Sequence, residues 1–418
     1  MSPLPNATTG LSGPISSWTA TSGGGGGGGG GGYAKNDKVY LVQGIYYPGA
    51  GRAYNDKKTV FCMTNDDWAA GSITLWENEP DMETSGTTFP LFTPSEILQK
   101  GYWSDFKIFD MATRSLTYPS SISGYHNNYC WDEDNPNNVQ ATGWSSGLWY
   151  AQTTTPSSTN NFSNSSLTNV TTRTPNTSQY LSLWYTYGMA AMDGIILRAG
   201  GGQLTWGDAA DQWSRIRVFK STDGGATFEE VYVKEPYSFG GYLGAYPDYD
   251  GGKFLMWTQD TTGANTGPNS LFSSTDGSTW TDEGETSGSG PGAPSYRGWW
   301  TVVYNKETSK FYRCPGNSTI YESSDGVSWS SSGSAQVSGS SVSLRNVCVM
   351  SNQDMLGFGF DSSTSADIKI YKFTRSGTSI GWSSGSLLST TTIGTFSQWY
   401  YSYAAIYGPF GNAGGTNG

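Results

Sequence analysis

The sequence predicts an all-β fold, and three observations carry the prediction. Gly accounts for 57 of the 418 residues, and aromatic residues make up 15% of the chain. Charged residues are only 14%, whereas an ordinary soluble domain has about 25%. Short runs of β-branched and aromatic residues alternate with Gly, Pro, Asn and Asp, which is the pattern of strands and turns. This composition excludes disordered chains, coiled coils and helical bundles.

The first 37 residues differ in composition from the rest of the chain. They are rich in Pro, Ser and Thr and contain ten consecutive glycines at positions 23–32. Because Gly has no side chain to bury, this run is either a flexible linker or an arm ordered by packing along neighbouring subunits. We expect residues 1–37 to form a Gly-rich N-terminal arm, residues 38–410 a folded domain, and residues 411–418 a Gly/Asn tail.

Strand signals become regular after residue 38. The runs Val39–Tyr47 and Lys58–Met63 are the first, and only Ser95–Lys100 suggests a helical turn. Aromatic-rich runs then recur, and each is predicted to begin a repeat: Gly101–Phe109, Tyr180–Tyr187, Gly240–Tyr246, Tyr296–Tyr304, Ser341–Met350 and Gln398–Tyr407. The predicted second strands of these repeats are Ile195–Ala199, Lys253–Thr258, Lys310–Arg313 and Met355–Phe360.

A short motif repeats in the second half of the chain. Its copies begin at Ser221, Ser274 and Ser323, which are 53 and 49 residues apart. The defining residues are Ser221, Asp223, Gly225, Thr227 and Phe228, then Ser274, Asp276, Gly277, Thr279 and Trp280, then Ser323, Asp325, Gly326, Ser328 and Trp329. Degenerate copies are predicted near Arg375–Trp382 and Thr64–Trp68.

The motif has the chemistry of a stapled hairpin turn. The Asp carboxylate can accept hydrogen bonds from backbone N–H groups a few residues further on, and Gly can take the positive φ that the turn needs. The aromatic residue then buries a large apolar area beside the turn. One hairpin in about 50 residues corresponds to one four-stranded sheet per repeat, and radial repetition of such sheets is a β-propeller.

The repeats favour six blades, with seven as the alternative. The stretch 110–179 is too long for the remainder of one blade, so it holds either a rim insertion or an irregular seventh blade. The last predicted strand, Gln398–Tyr407, has no partner after it in the chain. We expect it to pair with the N-terminal strands and so close the ring without a free edge.

The repeated motif S-x-D-x-G-x-T-W/F resembles the Asp box, or BNR repeat, of sialidase-type β-propellers. Ser221–Phe228 matches it in full, and the other two copies lack one residue between Asp and the aromatic residue. The shorter form looks like the version common in bacteriophage structural proteins of the tail, nozzle or adhesin type. The resemblance covers residues 210–380 and implies a propeller whose Asp boxes lie at the rim, away from the axial site.

Charge and cysteine content limit the partners. The formal net charge of −11 disfavours nucleic acid and anionic membranes, and no run is long and apolar enough for membrane insertion. The N-terminus has no secretion-signal pattern. The four cysteines are widely spaced and predict buried thiols, with one long-range bridge as the alternative; they are Cys62, Cys130, Cys314 and Cys348.

No cofactor and no catalytic residue is expected. The acidic stretch with Asp132 and Asp134 is a weak calcium candidate, with a solvated loop as the alternative. Candidate glycan-binding aromatics, with a core role as the alternative, are Trp144, Trp149, Trp299, Trp300 and Trp399. The single His126 makes multi-histidine metal sites improbable.

The sequence therefore predicts a non-enzymatic structural component of a bacteriophage particle, located in the virion. Its arm would contact other virion proteins, and its copies would form a homo-oligomeric ring or occur many times in a particle. The first alternative is a host-glycan receptor-binding adhesin that uses the loop 151–179. The second is a sialidase-like glycoside hydrolase, which by family resemblance needs three arginines; the available ones are Arg173, Arg198, Arg297 and Arg345.

Overall fold

A computed structural model gives the fold. It describes residues 38–45, 59–64, 74–76, 91–92, 96–100, 106–110, 115–117, 125–131, 139–145, 148–155, 166–170, 182–203, 216–223, 228–234, 237–260, 269–285, 302–314, 317–344, 346–349, 353–360, 365–395 and 402–407. Side chains are described only in parts of the chain from residue 189 to residue 390. The predicted arm 1–37 and the tail 411–418 lie outside these ranges.

Within the described ranges the regular structure is β-strand, apart from a 3₁₀ turn at Trp382–Ser384. The strands of the first half are β1 Lys38–Ile45, β2 Thr59–Thr64, β3 Thr74–Trp76, β4 Leu91–Phe92, β5 Glu96–Lys100, β6 Phe106–Asp110, β7 Ser115–Thr117, β8 Tyr125–Trp131, β9 Val139–Ser145, β10 Leu148–Thr155, β11 Ser166–Val170, β12 Ser182–Met192 and β13 Ile195–Gln203. Those of the second half are β14 Ile216–Ser221, β15 Glu229–Lys234, β16 Tyr237–Tyr246, β17 Lys253–Asp260, β18 Asn269–Ser274, β19 Thr281–Glu285, β20 Val302–Asn305, β21 Lys310–Arg313, β22 Thr319–Ser323, β23 Ser330–Ser334, β24 Gln336–Val337, β25 Ser340–Ser341, β26 Asn346–Val349, β27 Met355–Phe360, β28 Ser365–Phe373, β29 Arg375–Ser376, β30 Ser379–Ile380, β31 Ser386–Thr395 and β32 Ser402–Tyr407.

The described strands form seven four-stranded antiparallel sheets, numbered here from the N-terminus. Sheet 1 has the order β32-β1-β2-β3, and sheets 2 to 6 each use four consecutive strands: β4–β7, β8–β11, β12–β15, β16–β19 and β20–β23. Sheet 7 has the order β26-β27-β28-β31. The strands β24–β25 and β29–β30 form separate two-stranded hairpins.

The sheets are arranged as in a β-propeller. The first strands of neighbouring sheets contact one another, namely β4 with β8, β8 with β12, β12 with β16, and β20 with β26. The strand β26 also contacts β32, which makes β32 the inner strand of sheet 1. The all-β propeller class that the sequence predicts is therefore confirmed.

Sheet 1 joins the two ends of the folded domain. The strand β32 pairs antiparallel with β1, with Val42 opposite Ala405 and Ile45 opposite Ser402. On its other side β1 pairs with β2, for example Leu41 with Phe61. One sheet therefore contains both N-terminal and C-terminal strands.

The sequence repeats predict six blades, with seven as the alternative. The described strands group into seven four-stranded sheets, and sheet 3 accounts for much of the stretch 110–179 that the six-blade count leaves out. The loop expected at 151–179 contains the end of β10 and all of β11. The number of blades stays a prediction.

The hydrophobic core lies between neighbouring sheets. Leu197 and Val218 of sheet 4 pack with Phe254, Met256 and Phe272 of sheet 5. Further clusters join sheet 5 to sheet 6 and sheet 6 to sheet 7; they include Leu255, Trp257, Phe311, Tyr312, Ile320, Val347, Phe373 and Trp382. A sheet packed on both faces buries nearly every side chain, and this explains why five of the six residues of β14 are buried.

Two of the predicted elements near residue 100 are wrong. Ser95–Lys100, expected as a helical turn, is mostly the strand β5, which pairs with both β4 and β6. Gly101–Phe109, expected as the first strand of a repeat, overlaps β6 (Phe106–Asp110), which is the third strand of sheet 2. In this stretch hydrogen bonding across the sheet overrides a weak local pattern.

The cysteines with described side chains agree with the sequence expectation. Cys314 and Cys348 are free and buried. Burial in apolar surroundings raises the pKa of both thiols, so neither is a reactive thiolate near neutral pH. The side chains of Cys62 and Cys130 lie outside the described residues.

Candidate functional site

The repeated motif forms turns that connect the third and outer strands of three consecutive sheets. Turn 1, Ser221–Phe228, joins β14 to β15, and turn 2, Ser274–Trp280, joins β18 to β19. Turn 3, Ser323–Trp329, joins β22 to β23. Each of these connections lies in the outer half of its sheet, between the third and fourth strands.

In turn 2 the carboxylate of Asp276 organises the backbone. Its Oδ1 accepts hydrogen bonds from the backbone N–H groups of Ser278 at 2.8 Å and Thr279 at 2.7 Å. The hydroxyl of Thr279 donates to Oδ2 at 3.1 Å. The Ser274 hydroxyl donates to Oδ1 at 3.1 Å and accepts from the Gly277 N–H at 2.8 Å. The Asp276 N–H lies 3.3 Å from the Ser274 hydroxyl oxygen. Including it, six donor groups are satisfied by the oxygens of Ser274 and Asp276.

Turn 3 repeats this network with different residues. Asp325 Oδ1 accepts from the backbone N–H groups of Val327 at 2.8 Å and Ser328 at 2.7 Å. The Ser323 hydroxyl donates to Asp325 at 2.7 Å and accepts from Gly326 N–H at 2.8 Å. The same spacing of residue types therefore gives the same local structure in two sheets.

Turn 1 is described in part. The Ser221 hydroxyl donates to Asp223 Oδ1 at 2.7 Å. The aromatic residue Phe228 is buried, and the Arg198 guanidinium lies 5.2 Å from the centre of its ring. Gly225 and Thr227 lie outside the described residues.

The turn glycines are required by conformation and by contact with the preceding sheet. Gly277 and Gly326 have φ angles of +70° and +76°, which residues with a Cβ rarely adopt. A Cβ on Gly277 would lie 2.7 Å from Leu197 of sheet 4, and one on Gly326 would lie 2.9 Å from Leu255 of sheet 5. Both leucines are on the second strand of the preceding sheet. Each of these turns therefore packs against its neighbour.

The turn tryptophans add a second contact between sheets. Trp280 Nε1 donates to the Gly277 carbonyl at 3.1 Å, and its ring centre is 6.2 Å from that of Tyr232 on β15. Trp329 Nε1 donates likewise to the Gly326 carbonyl at 3.1 Å. Its ring centre is 6.5 Å from that of Trp257 on β17.

Lysines of the preceding sheet hydrogen-bond to turns 2 and 3. Lys220 Nζ, at the end of β14, donates to the backbone carbonyl of Asp276 at 2.6 Å and to the Ser278 hydroxyl at 3.0 Å. Lys253 Nζ, at the start of β17, donates to the carbonyl of Asp325 at 2.5 Å. Burial lowers the pKa of Lys253, and the charges of Asp325 and Glu283 oppose this effect. The motif does not contain these lysines, so the sequence analysis missed them.

The turn carboxylates act as acceptors and not as proton donors. The pKa of Asp276 is lowered to about 2, chiefly by the hydrogen bond from the backbone N–H of Thr279. Burial raises the pKa, but further hydrogen bonds from Ser278 and Ser274 lower it. Burial alone would raise the pKa of Asp325, but hydrogen bonds from Ser328, Ser323 and Val327 outweigh it and lower that pKa to about 2. Both groups are ionised near neutral pH. This suits a structural staple and not general acid catalysis.

The degenerate fourth copy has a different construction. The hairpin β29–β30 turns at Gly377, with φ +58°, and Trp382 after it is buried. The carboxylate comes from Asp354, which accepts the backbone N–H of Arg375 at 2.7 Å and lies 3.5 Å from the ammonium group of Lys372. The carboxylate that hydrogen-bonds to this hairpin therefore comes from a residue 21 positions earlier in the chain.

The remaining candidate residues are only partly described. Trp144 on β9 lies directly opposite Trp149 on β10 and opposite Tyr125 on β8. Trp299, Trp300 and Trp399 lie outside the described residues, as do the calcium candidates Asp132 and Asp134. His126 lies on β8 opposite Gly143.

Among the arginines considered for a glycosidase site, Arg198 has a described side chain. It is buried beside Phe228 of turn 1. It lies on β13, the second strand of sheet 4, with its guanidinium against turn 1. Arg173, Arg297 and Arg345 lie outside the described residues.

Neither a metal-binding cluster nor a membrane-spanning helix occurs among the described residues. No group of three or more His, Cys, Asp or Glu residues that could hold a metal ion occurs among them. Over the same parts of the chain, no helix has the length and apolar character needed to cross a bilayer.

Among known proteins, the chain shows similarity only to solved structures. No protein-family profile matches the chain, and no curated protein sequence matches it. A protein from Lactobacillus plantarum is 9% identical, with 85% of this chain and 100% of that chain covered and a TM-score of 0.48. The β-propeller domain of the Trilobed protease from Pyrococcus furiosus is 11% identical, with coverages of 85% and 97% and a TM-score of 0.41. A prolyl endopeptidase structure is 12% identical with a TM-score of 0.46; 90% of this chain is covered, but it spans only 50% of the endopeptidase.

The expectation that this chain is not an enzyme needs correction. The finding that corrects it is that several of the similar solved structures are enzymes: a prolyl endopeptidase, an acylaminoacyl peptidase and an oligogalacturonate lyase. At identities of 8–12%, this likeness assigns no reaction to the chain.

Proposed function

We propose that the three turns are Asp boxes of the BNR type and that the chain is a structural component of a bacteriophage particle. Its position would be the tail, the tail nozzle or the capsid surface, and its role would be to make assembly contacts. The observation that carries the proposal is the shared form of turns 2 and 3. Both have the shorter spacing S-x-D-G-x-[ST]-W, which resembles the form of the motif in phage structural proteins. Both also form the same hydrogen-bond network.

The contacts of these turns suit a part that must resist deformation. The tryptophan and the glycine of turns 2 and 3 each pack against the preceding sheet, and a lysine of that sheet hydrogen-bonds to the turn backbone. Neighbouring sheets are therefore joined at the rim as well as through the apolar core. Packed interiors of this kind transmit load with little compression.

Chain order favours attachment through the end of the sheets that carries the turns. The inner strand and the third strand of a sheet finish at the same end, so the short β12–β13 hairpin lies at the end where turn 1 lies. The strand β31 runs away from that end, and β32 follows it after six residues. The inner strand β32 therefore runs towards the turn end, and the tail follows Tyr407 there. The strand β1 is antiparallel to β32, so it begins at the turn end, where the arm precedes Lys38. We propose that the arm binds other virion proteins there.

Purified particles provide the test. Particles from the source lysate would be separated by density gradient, and the chain would be quantified by mass spectrometry against an abundant soluble host protein as the control. The proposal expects the chain to remain in the particle fraction at a constant ratio to other particle proteins after a high-salt wash. Loss of the chain with the host control would contradict the proposal.

A second candidate function is a host-glycan adhesin, and one register observation favours it. Tyr125, Trp144 and Trp149 occupy one row across three adjacent strands of sheet 3. Rows of aromatic residues are suited to stacking on apolar sugar faces. Saturable binding of the chain to host-cell glycans, lost in Trp149→Ala and kept in the control Val233→Ala, would support this role. Equal binding by both variants would exclude this row as the site.

A further inference from the structure

The far end of the sheets, defined as the end opposite the turns, collects aromatic residues from two neighbouring inner strands. The strands β12 and β16 contact one another, and both begin at the far end because their hairpins to β13 and β17 lie at the turn end. A Cβ on Gly252 would lie 3.2 Å from the carboxylate of Asp193, so the two hairpins are neighbours and the strands run in the same direction. Half of the first six residues of each strand are aromatic, namely Trp184, Tyr185, Tyr187, Tyr237, Phe239 and Tyr242.

The backbone pairing is irregular in these same segments. The pairing of β12 with β13 shifts register twice between Ser182 and Gly188, and that of β16 with β17 shifts once, between Phe239 and Tyr242. Among the described pairs of first and second strands, only β8–β9 of sheet 3 has another shift, also near the start of its inner strand. Bulges are over-represented next to active sites, where they redirect side chains. The shifts therefore mark the far end of three adjacent sheets.

Glycines accompany the aromatic residues at this end. Tyr185 on β12 lies opposite Gly201 on β13. On β16 the pair Gly240–Gly241 lies within the register shift before Tyr242. A glycine inside a strand often marks a place where a ligand or another backbone approaches closely. The aromatic residues thus lie beside backbone that carries no side chains, which leaves room for a ligand.

The far end of these two sheets has very little charge in its first two strands. The inner-strand segments 182–187 and 237–242, with the paired segments 200–203 and 257–260, contain a single charged residue, Asp260. The corresponding hairpins at the turn end carry three carboxylates and a lysine, namely Asp193, Asp248, Asp250 and Lys253. A ligand at the far end would therefore meet aromatic rings, hydroxyls and amides but almost no charge.

We infer that the far end of β12 and β16 is a binding site for an uncharged oligosaccharide. Sugar rings have apolar faces that stack on aromatic side chains, and their hydroxyls pair with neutral donors and acceptors. Small-molecule sites commonly combine an aromatic lining with a few polar groups in this way. The inference rests on the glycan-binding candidate and adds the class of glycan and a place on sheets 4 and 5. It is independent of the virion role.

Isothermal titration calorimetry of the full chain with cellohexaose, maltohexaose and chitohexaose tests the inference. Saturable binding of at least one of these sugars is expected, with a dissociation constant at or below about 1 mM. The variant Trp184→Ala should weaken this binding at least about tenfold, because a stacking ring is lost. Trp329→Ala removes a tryptophan at the turn end and is the matched control, which should bind like the unchanged chain.

Hydroxyl-radical footprinting of the unchanged chain covers the case that Trp184→Ala does not fold. Bound sugar should protect the peptides of β12 and β16 from oxidation and leave the peptide of Trp329 unprotected. The inference is overturned if none of the three sugars binds, if Trp184→Ala binds like the unchanged chain, or if β12 and β16 gain no protection. Binding that is lost in Trp149→Ala but kept in Trp184→Ala would overturn this placement and leave the glycan-binding candidate standing.

Discussion

At the scale of single residues, Asp325 shows how one carboxylate determines the shape of a turn. Two backbone N–H groups and the Ser323 hydroxyl donate to it. We expect Asp325→Ala to lower the free energy of unfolding by about 1–2 kcal/mol, by analogy with the loss of a helix N-cap. Asp325→Asn keeps an acceptor oxygen, so it should lose less. Urea denaturation would measure both, and an alanine variant as stable as the unchanged chain would contradict the proposed role.

The same carboxylates predict a dependence of stability on pH. Asp276 and Asp325 have pKa values of about 2 in the folded chain, below the ordinary value of 3.8. A lowered pKa stabilises the fold above the unfolded pKa, and this contribution is lost as the pH falls from about 4 towards 2. In the double variant Asp276→Asn/Asp325→Asn, the melting temperature should fall less between pH 4 and pH 2 than it does in the unchanged chain. A fall as steep as that of the unchanged chain would show that other carboxylates are responsible.

Alanine variants of two turn glycines distinguish the effect of backbone strain on stability from the effect of contact between sheets. Gly377→Ala meets no atom within 4 Å, so it should cost only the strain of a positive φ, about 1–2 kcal/mol. Gly326→Ala adds a Cβ 2.9 Å from Leu255 of the preceding sheet, so it should cost about 1–3 kcal/mol more. Denaturation of both variants would give the difference, and equal losses would mean that turn 3 does not press against sheet 5.

At the scale of elements, the pairing of β1 with β32 can be tested by cross-linking. Val42 and Ala405 lie directly opposite one another, so Val42→Cys/Ala405→Cys should form a disulfide on oxidation. The control Val42→Cys/Ala404→Cys is out of register by one residue, which places the two side chains on opposite faces of the sheet. Peptide mapping without reducing agent should find the cross-link in the first variant only. Cross-links in both, or in neither, would contradict the register.

The elements differ in how much of them the sequence predicts. The turns at Ser274 and Ser323 were predictable because every hydrogen bond within them joins residues close in the chain. The lysine contacts were not, because Lys220 and Lys253 are 56 and 72 residues away from the carbonyls that they bind. Residues of the preceding sheet become neighbours only when the sheets pack together.

Errors in the prediction arise where local signals are weak. The segment Glu96–Lys100 is a strand because it pairs on both sides, although its sequence EILQK also suits a helical turn. The fourth copy of the motif lacks its own Asp, and the carboxylate that accepts the backbone N–H of Arg375 is that of Asp354, 21 residues earlier. A motif search cannot find a contact whose partner lies outside the motif.

At the scale of the whole molecule, the sheets are joined in three ways. Apolar clusters fill the space between sheets 4 to 7, turns 2 and 3 pack against the preceding sheets, and β1 pairs with β32. In the proposed virion role, the arm before Lys38 binds the particle, and the end of the propeller opposite the turns faces away from it.

Gold labelling of intact particles tests this central proposal most directly. An antibody to the folded domain would be applied to particles from the source lysate, with an antibody to a soluble host protein as the control. The account predicts gold at one fixed position on every labelled particle, at the tail or at the shell. Label confined to the soluble fraction, with none on particles, would contradict it.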